Sequence, residues 1–469
     1  MGPEIVQAEQ IPANPPSSLP PTPGPGKKRW LLILGLIGLG LILVLGAIKF
    51  LLARRPGKQA SITLTYWGLW EPKAVMEGII AQWQEQHPNI KINYLPQDKE
   101  DYRLRLQTAF SQGQGPDIFR FHQTWGPMLR QDLAPVPQDL VANLGLEKDY
   151  FPVIKESLKQ GNVFYGIPLM IDTLVLYYNK DILAAANKSP PRTWWGLRQL
   201  AQELTVRDEG GKIQIAGAAL GTTGNVDHWS DILGLMIFQN EGSPSQPKSQ
   251  LVSDALRFYT IFYRQDHVWD ETLPSSTMAF GQGKVAFYFG PSWRIFNLSE
   301  INSNLNFAVT DVPQLPKLKD TDWQLAEEGQ AELTQVGWAS FWVEGVWVKS
   351  RYQKEAWQFL QFLASKEGLQ RLYTAQSQIR YFGELYPRTD LARELASNSL
   401  LKPFINQAQI AKSWYLASFT YDGGLNDRLI KYYEDAVNAL NESGELNDSI
   451  LTQLDQGVKQ ILSQYRLKS

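Results

Sequence analysis

The segment from Tyr165 to Asp181 constrains the fold more than any other stretch of this chain. It reads YGIPLMIDTLVLYYNKD, an apolar, β-branched run that stops at Asn179-Lys180. Such a run, closed by turn residues, predicts buried strands. Asp172 interrupts the run, and a lone carboxylate is out of place in a core. We therefore predict a pair of buried strands with Asp172 at the bend between them.

Composition narrows the class of protein. The chain has 469 residues and 43% hydrophobic content, enough for two or three ordinary domains with large cores. Cysteine is absent, which excludes disulfide bonds, thiol nucleophiles and thiolate metal sites. The histidines, at positions 87, 122, 228 and 267, lie far apart without ligand-like spacing. We therefore predict a globular protein with no metal site and no cofactor.

Charge and aromatic content bear on the partners. The first 58 residues carry a net charge of +5, and the remainder carries −7. A mildly acidic body without a basic stripe argues against a nucleic-acid partner. Many of the 16 tryptophans belong in the core, but so many indole rings also leave some for flat binding faces.

The N-terminal region combines a polar tail with an apolar run. Residues 1–29 are rich in proline and lack periodicity, which predicts a disordered tail. Trp30 to Ile48 are 19 consecutive uncharged residues, a length that matches the hydrocarbon core of a bilayer. We predict a transmembrane anchor over residues 30–52. The alternative is a cleaved signal peptide, although its apolar stretch is usually shorter and no Ala-x-Ala site follows here.

The body opens with a strand, a helix and a second strand. Residues 62–67 alternate as a half-buried strand does, residues 75–86 have the helical period, and residues 90–94 alternate again. Three such elements within about 35 residues make a βαβ unit. A sheet with parallel strands is therefore expected from Ser61 onward.

Several segments resemble, in order and spacing, those of one known family. They are Trp67 at the end of the first strand, HPNIK at 87–91, GQGPDIF at 113–119, GIP at 166–168, YNKD at 178–181, PRTW at 191–194, FGQGKVAF at 280–287, GPSW at 290–293 and EAWQFL at 355–360. This set resembles the family 1 extracellular solute-binding proteins, the maltose-type sugar-binding proteins of ABC importers.

Two features depart from the family pattern. Where many relatives have Glu closing a capping box with the preceding Thr, this chain has Thr193 followed at the third position by Gly196. Thr193 can still cap the helix, but the reciprocal bond is predicted to be lost. The polar, irregular stretch from Leu315 to Glu332 has no counterpart in the family pattern.

The resemblance implies an α/β protein with the two-lobed type II periplasmic-binding-protein fold, preceded by one transmembrane helix. Lobe 1 is then expected to comprise residues 61–169 and 310–364. Lobe 2 is expected to comprise residues 170–309 and 365–469. Repeated crossings of the chain between the lobes would form a hinge.

The resemblance also implies a function. The expected protein is a monomer that is anchored in the membrane, with its body on the extracellular or periplasmic side. It is expected to capture a sugar or oligosaccharide and to deliver it to ABC permease subunits. Two alternatives stay open: a tethered sugar-sensing module without transport, and a glycoside-acting enzyme. Such an enzyme needs two carboxylates at a defined separation. No motif fixes such a pair, so we predict a binding protein and not an enzyme.

A sugar site needs aromatic faces for the CH patches of the ring and carboxylate or amide groups for the hydroxyls. Strand-to-helix loops and family positions give these ligand-binding candidates: Trp70, Glu71, Phe121, His122, Gln123, Asp172, Trp229, Trp293, Trp338, Arg388 and Trp414. For each tryptophan the alternative is burial in the core, and for Asp172 it is an ion pair in the hinge. A polyol or glycerol phosphate is also compatible, and Arg388 or Arg294 in the cleft would favour phosphate.

Overall fold

The protein divides into two compact units, residues 1–60 and residues 61–469. The structure, a computed structural model, describes residues 27–53, 61–317 and 321–468. Most of the predicted disordered tail, residues 1–26, lies outside the described residues.

In its described part the first unit forms helix α1, from Lys27 to Ala53. This helix contains the whole of the apolar run that was predicted to cross a membrane. Its side chains are described from residue 34 to residue 49. Within the described part of the chain, no helix combines the length and the apolar character that a membrane span requires.

The second unit is a mixed α/β structure. Its strands are β1 (Ile62–Gly68), β2 (Ile90–Pro96), β3 (Ile118–His122), β4 (Lys159–Gln160), β5 (Val163–Phe164), β6 (Ile167–Pro168), β7 (Asp172–Thr173), β8 (Val175–Asn179), β9 (Val206–Arg207), β10 (Ile213–Ala218), β11 (Val285–Gly290), β12 (Phe307–Thr310), β13 (Gly337–Ser340), β14 (Trp342–Val346) and β15 (Ala411–Lys412).

Its helices are α2 (Lys73–Gln86), α3 (Tyr102–Ser111), α4 (Gly126–Leu129), α5 (Gln138–Leu144), α6 (Pro152–Leu158), α7 (Lys180–Ala185), α8 (Trp194–Leu204), α9 (Trp229–Gln239), α10 (Gln250–Arg264), α11 (Ser276–Gly281), α12 (Arg294–Ile301), α13 (Trp323–Glu327), α14 (Gln353–Ala364), α15 (Lys366–Ser377), α16 (Thr389–Leu395), α17 (Lys402–Ile410), α18 (Leu425–Ser443) and α19 (Asp448–Gln464).

The predicted βαβ opening is confirmed. Strands β1 and β2 pair in parallel, with Ile62 opposite Ile90, and α2 connects them. Helix α2 buries one face, formed by Val75, Met76, Ile79, Ile80 and Trp83. Residues three and four apart lie on the same side of a helix, so this face packs on the core while the other faces solvent.

The first five-stranded sheet has the order β2-β1-β3-β14-β6. Strand β14 lies between β3 and β6 and runs antiparallel to both. The chain reaches β14 only after it has formed the strands of a second sheet, whose order is β12-β8-β11-β10-β9. Each sheet is therefore assembled from separate stretches of the chain.

The crossover between the sheets contains the predicted buried strands. Strand β6 belongs to the first sheet and β8 to the second, and β7 lies between them in the chain, with Asp172 as its first residue. Strand β7 pairs antiparallel with β13, so that Asp172 lies opposite Ser340. Because β13 follows β12 of the second sheet and precedes β14 of the first, the paired strands β7 and β13 are both passages between the sheets.

Helix α8 begins with a cap built from two distant segments. Thr193 Oγ1 accepts a hydrogen bond from the Gly196 amide at 3.0 Å, as predicted. The reciprocal contact, which was predicted to be lost, comes from Glu327: its carboxylate accepts from the amide and hydroxyl of Thr193 at 2.9 and 2.6 Å. A Cβ on residue 196 would lie 2.3 Å from Glu327 Oε2, so glycine makes room for this carboxylate. The stretch without a family counterpart thus replaces the missing glutamate.

Candidate functional site

Five aromatic rings form a continuous row between the two sheets. Starting from Trp342, each ring contacts the next, through Trp70, Tyr421 and Phe419 to Trp293, at centroid distances of 5.6, 6.3, 6.4 and 5.7 Å. Trp342 lies on β14 of the first sheet, and Trp293 lies between β11 of the second sheet and α12. We call this set the aromatic row.

Three members of the aromatic row have a left-handed backbone. The φ angles are 76° at Trp70, 56° at Phe419 and 53° at Tyr421. Large side chains rarely adopt this conformation, which costs about 1 to 3 kcal/mol and is concentrated at ligand clamps and active sites. Trp70 and Phe419 are also 44% and 36% exposed. Exposed rings on a strained backbone indicate that the row is a binding surface and not core.

The loop of residues 413–424, which carries Phe419 and Tyr421, is held from the side of the first sheet. Lys99 Nζ donates to the Tyr421 hydroxyl at 3.0 Å and lies 4.5 Å from its ring centroid. Gln123 Nε2 donates to Ser413 Oγ at 2.7 Å. These bonds place polar donors beside the aromatic row.

A buried polar cluster lies behind the row on the side of the second sheet. Arg294 Nε donates to His228 Nε2 at 2.9 Å, which leaves the proton of a neutral imidazole on Nδ1. That nitrogen lies 3.2 Å from an Asp231 oxygen and 3.1 Å from Ser418 Oγ. Burial lowers the pKa of His228, and the adjacent Arg294 charge lowers it further. The ring is therefore an uncharged link between the guanidinium and Asp231.

Asp231 is fully engaged within this cluster. It accepts a hydrogen bond from Trp338 Nε1 at 2.7 Å and one from the Ser418 amide at 3.1 Å, and the Ser418 hydroxyl donates to its other oxygen. Trp338, a predicted ligand contact, is only 1% exposed. Its indole therefore fixes Asp231 from within the core.

Asp172 is placed at the bend, as predicted, but its carboxylate is occupied by protein donors. The Ser292 amide donates to both oxygens at 2.9 and 3.1 Å, and the Ser292 hydroxyl donates at 2.7 Å. The Thr173 amide adds a bond at 2.7 Å. Burial raises the pKa of Asp172 to about 7, against the opposing effect of these donors. Asp172 thus ties strand β7 to the residue before Trp293.

Glu71 lies in the core beneath the first sheet and not at its surface. It is 3% exposed, forms an ion pair with Arg120 and accepts from Gln376 Nε2 at 3.2 Å. Arg120 also donates to Glu344 at 2.6 Å. Burial raises the pKa of Glu344. The predicted contact residue is therefore one end of a buried Glu-Arg-Glu group.

The consecutive residues Phe121, His122 and Gln123 have three different environments. Phe121 is 1% exposed and belongs to the core. The His122 ring lies edge-on to Trp342 at 5.2 Å, and burial lowers its pKa to about 3. Gln123 reaches the loop that carries the aromatic row. Of the three, Gln123 lines the cavity beside this loop although it is only 6% exposed, and His122 packs against Trp342.

The remaining candidates are scattered. Trp229, at the start of α9, is 8% exposed. Arg388 donates to Asp390 at 3.0 and 3.1 Å and to the Leu144 carbonyl at 2.6 Å, so its guanidinium is already paired. Trp414 contacts Tyr415 at 5.3 Å and lines a cavity of about 890 Å³ that extends from Gln123 to the end of α19.

Several members of the site were missed by the sequence analysis. Trp342, Phe419 and Tyr421 were not proposed, and Arg294 was named only as a conditional phosphate ligand. The one signal for the loop was its pair of aromatic residues before the Asp-Gly-Gly turn at 422–424. Positive φ angles at aromatic residues leave no mark in the sequence.

Comparison with known proteins assigns the family. The model of the family described as bacterial extracellular solute-binding protein matches residues 68–370, more than half of the chain. This chain belongs to that family. Family members are solute-binding proteins of ABC transporters, and the predicted resemblance is confirmed.

Two relatives illustrate the range of the family. The maltodextrin-binding protein of Bacillus subtilis is 24% identical over 311 residues, covering 60% of this chain and 66% of its own length, just under two thirds. The sn-glycerol-3-phosphate-binding periplasmic protein of Pectobacterium atrosepticum is 26% identical over 344 residues, covering 66% of this chain and 71% of its own length.

Solved structures establish the architecture. The sugar-binding protein MalE of Xanthomonas citri matches with a TM-score of 0.67 at 20% identity, over 86% of this chain and 98% of that chain. The predicted mixed α/β, two-lobed periplasmic-binding-protein fold is confirmed. The aromatic row therefore lies between the sheets of a two-lobed binding fold.

Proposed function

We propose that this chain captures a sugar or oligosaccharide between its lobes and delivers it to an ABC transporter permease. The observation that carries the proposal is the aromatic row, which links Trp342 of the first sheet with Trp293 beside the second. Aromatic faces bind the CH patches of sugar rings, and the amide of Gln123 offers a partner for hydroxyls. The name of the Bacillus subtilis relative, which refers to a maltodextrin, supports a ligand of this class.

The proposed contacts differ in role. Trp70, Phe419 and Trp293 offer ring surface to the ligand, and Gln123 and Trp414 extend the site towards the neighbouring cavity. The other candidates position these groups through buried hydrogen bonds or packing and are Glu71, Phe121, His122, Asp172, Trp229, Trp338 and Arg388.

Closure of the lobes is the proposed mechanism. A ligand that contacts Trp70 from one lobe and Trp293 from the other gains both contacts only in the closed form. That differential contact shifts the population towards closure. The paired passages β7 and β13 are the proposed hinge.

The proposed lobe boundaries follow the sheets. In this assignment residues 61–169 and 170–309 belong to lobes 1 and 2, as the resemblance implied. Helix α15, expected in lobe 2, packs against α2 and α14, which support the first sheet. We therefore place the last crossing after Ser377 and not at residue 365.

We further propose that the first unit anchors the protein in the membrane as a single-pass helix, with the binding body outside the cell. The apolar run of 19 residues and its helical form in α1 support this proposal. A tether of this kind would keep the body close to its permease.

Calorimetric titration of the purified chain in detergent tests the proposed function. Sugars should bind saturably and be recovered chemically unchanged, and the radius of gyration from solution scattering should decrease on binding. Trp70→Ala should lower affinity about 2- to 10-fold, because a lost aromatic contact is worth roughly 0.5 to 1.5 kcal/mol.

A matched control is Trp195→Ala, which removes a similarly exposed indole, 38% against 44%, outside the aromatic row. Its affinity should equal that of the parent chain. Conversion of the sugar to products, or equal affinity losses in both variants, would contradict the proposal.

A further inference from the structure

The cleft contains a buried arginine whose charge has no acidic partner. Arg294 is only 9% exposed, and within the described part of the chain no carboxylate oxygen lies within 4.0 Å of its guanidinium nitrogens. Its Nη2 is buried and has no hydrogen-bond partner among the described residues. A buried charged donor left unpaired is strongly unfavourable.

Two other deeply buried arginines of this protein form ion pairs with carboxylates. Arg120 bonds to the carboxylates of Glu71 and Glu344, and Arg388 bonds to Asp390. Arg294 instead donates to the neutral imidazole of His228 at 2.9 Å and, at a long 3.5 Å, to the Asn297 amide oxygen. Its charge is therefore uncompensated by direct contact.

The nearest acids of this lobe are committed elsewhere. Asp231 takes its bonds from Trp338, from Ser418 and from the His228 ring that also contacts Arg294, and Asp227 takes its bonds from Ser276 and Thr277. Burial opposes ionisation, but the Thr277 donors and the charge of Arg294 hold the pKa of Asp227 below its usual value. Both acids act on the guanidinium only from beyond hydrogen-bonding distance.

Two rings of the aromatic row hold the guanidinium in place. Its central carbon lies 4.2 Å from the Trp293 ring centroid and 4.8 Å from that of Phe419. The two rings are inclined at 80° to each other, so the guanidinium lies in the angle between them and makes a cation–π contact with both. Because both rings belong to the aromatic row, the guanidinium adjoins the proposed ligand site.

We propose that the ligand of this cleft is an acidic sugar or polyol, whose phosphate or carboxylate group accepts hydrogen bonds from Nη2 of Arg294. This inference rests on the proposed function and specifies its ligand class. A neutral hydroxyl would accept a hydrogen bond from Nη2 but leave the buried positive charge uncompensated. An anion accepts the hydrogen bond and also compensates the charge. Stacking on the aromatic row then selects the sugar part of the same ligand.

Matched probes test the inference on the full chain in detergent by calorimetry. Each set differs only in its acidic group: glucose, glucose 6-phosphate and glucuronic acid; glycerol and glycerol 3-phosphate. At least one acidic probe should bind about 10- to 100-fold more tightly than its neutral counterpart, as expected for a charge-assisted pair. The phosphate and carboxylate probes distinguish the two kinds of anion.

Variants assign the preference to the guanidinium. Arg294→Gln should abolish the preference for the acidic probe, and Arg294→Lys should keep part of it, since lysine retains the charge but not the planar fork. Arg257→Gln, which removes an exposed arginine of α10, should leave it unchanged. The preference of the parent chain is measured without any substitution, so it decides the question even if Arg294→Gln fails to fold.

The outcomes separate the two proposals. Neutral probes that bind as tightly as acidic ones would overturn the anionic ligand and leave sugar binding intact. A preference that survives in Arg294→Gln would overturn the role of this residue. Failure of every probe, neutral or acidic, to bind would contradict the proposed function and the inference together.

Discussion

Asp172 shows how a single buried carboxylate organises the passage between the sheets. The sequence predicts its position at the bend between two buried strands. Its partner could not be predicted, since Ser292 lies 120 residues further along the chain. In the structure Asp172 links strand β7 to the turn that presents Trp293.

The raised pKa of Asp172 predicts a pH dependence of stability. The pKa rises from 3.8 to about 7 on folding because of burial, so the folded chain holds a proton that the unfolded chain releases. The resulting stabilisation is complete below about pH 4 and is lost as pH rises through about 7. Urea unfolding of the parent chain should therefore show stability falling between about pH 4 and 7, whereas Asp172→Asn should show a flatter profile.

Asp139→Asn, at an exposed carboxylate in the first turn of α5, is the control and should follow the parent profile. Equal slopes for the parent chain and Asp172→Asn would show that the carboxyl does not titrate in this range.

Tryptophan illustrates the limit of prediction at this scale. Trp70 and Trp338 were both predicted as ligand contacts, yet one is 44% exposed and the other 1%. The difference arises from Asp231, 107 residues away from Trp338, which accepts its indole N–H. Side-chain exposure depends on such long-range partners. The sequence therefore identifies candidate tryptophans but does not show which of them are exposed and which are buried.

At the scale of elements, local patterns were reliable. The βαβ opening and the crossover strands follow from patterns within a single segment, and the structure confirms both. Thr193 caps α8 as predicted, but the predicted loss of the reciprocal bond was wrong, because a carboxylate from α13, far along the chain, supplies it. Short-range rules cannot find a partner that only tertiary packing supplies.

The cap predicts a specific loss of stability. Glu327→Ala removes the carboxylate that accepts from Thr193 and the Arg192 amide, so the first turn of α8 should fray. We expect unfolding in denaturant to reveal a destabilisation of about 1 to 2 kcal/mol. Glu328→Ala, an exposed neighbour on the same helix end, should change stability little, and equal losses in both variants would refute the cap.

The strained loop 413–424 predicts a difference between two substitutions of one residue. Phe419→Ala and Phe419→Gly both remove the ring and should weaken ligand binding. Glycine accepts the φ of 56° without strain, whereas alanine does not. Phe419→Gly should therefore be more stable than Phe419→Ala by about 1 kcal/mol in thermal unfolding. If alanine were the more stable of the two, the loop would not hold this conformation in solution.

At the scale of the whole molecule, family motifs predicted the two-lobed fold because they mark elements spread along the entire body. The lobe to which α15 belongs is harder to predict, since α14 and α15 are consecutive helices with similar amphipathic patterns. The packing of α15 against α2 is the basis of our proposal that it belongs to lobe 1.

The proposed membrane anchor predicts how the whole protein distributes between the membrane and soluble fractions. If the first unit spans the membrane, the mature protein should remain in the membrane fraction after a high-salt wash and should be released by detergent. A chain that begins at Ser61 should appear in the soluble fraction. Mature protein whose N-terminus is found at or after Ser61 would show that the first unit is removed.

The interleaved sheets also set an order of events during synthesis. A ribosome makes β6 and every strand of the second sheet before it makes β14, which must enter between β3 and β6. Until residue 346 emerges, the first sheet has an open gap with unpaired edges, and the rings at 419 and 421 arrive later still. The nascent body therefore cannot complete the first of its sheets or its binding surface until nearly the whole polypeptide has been made.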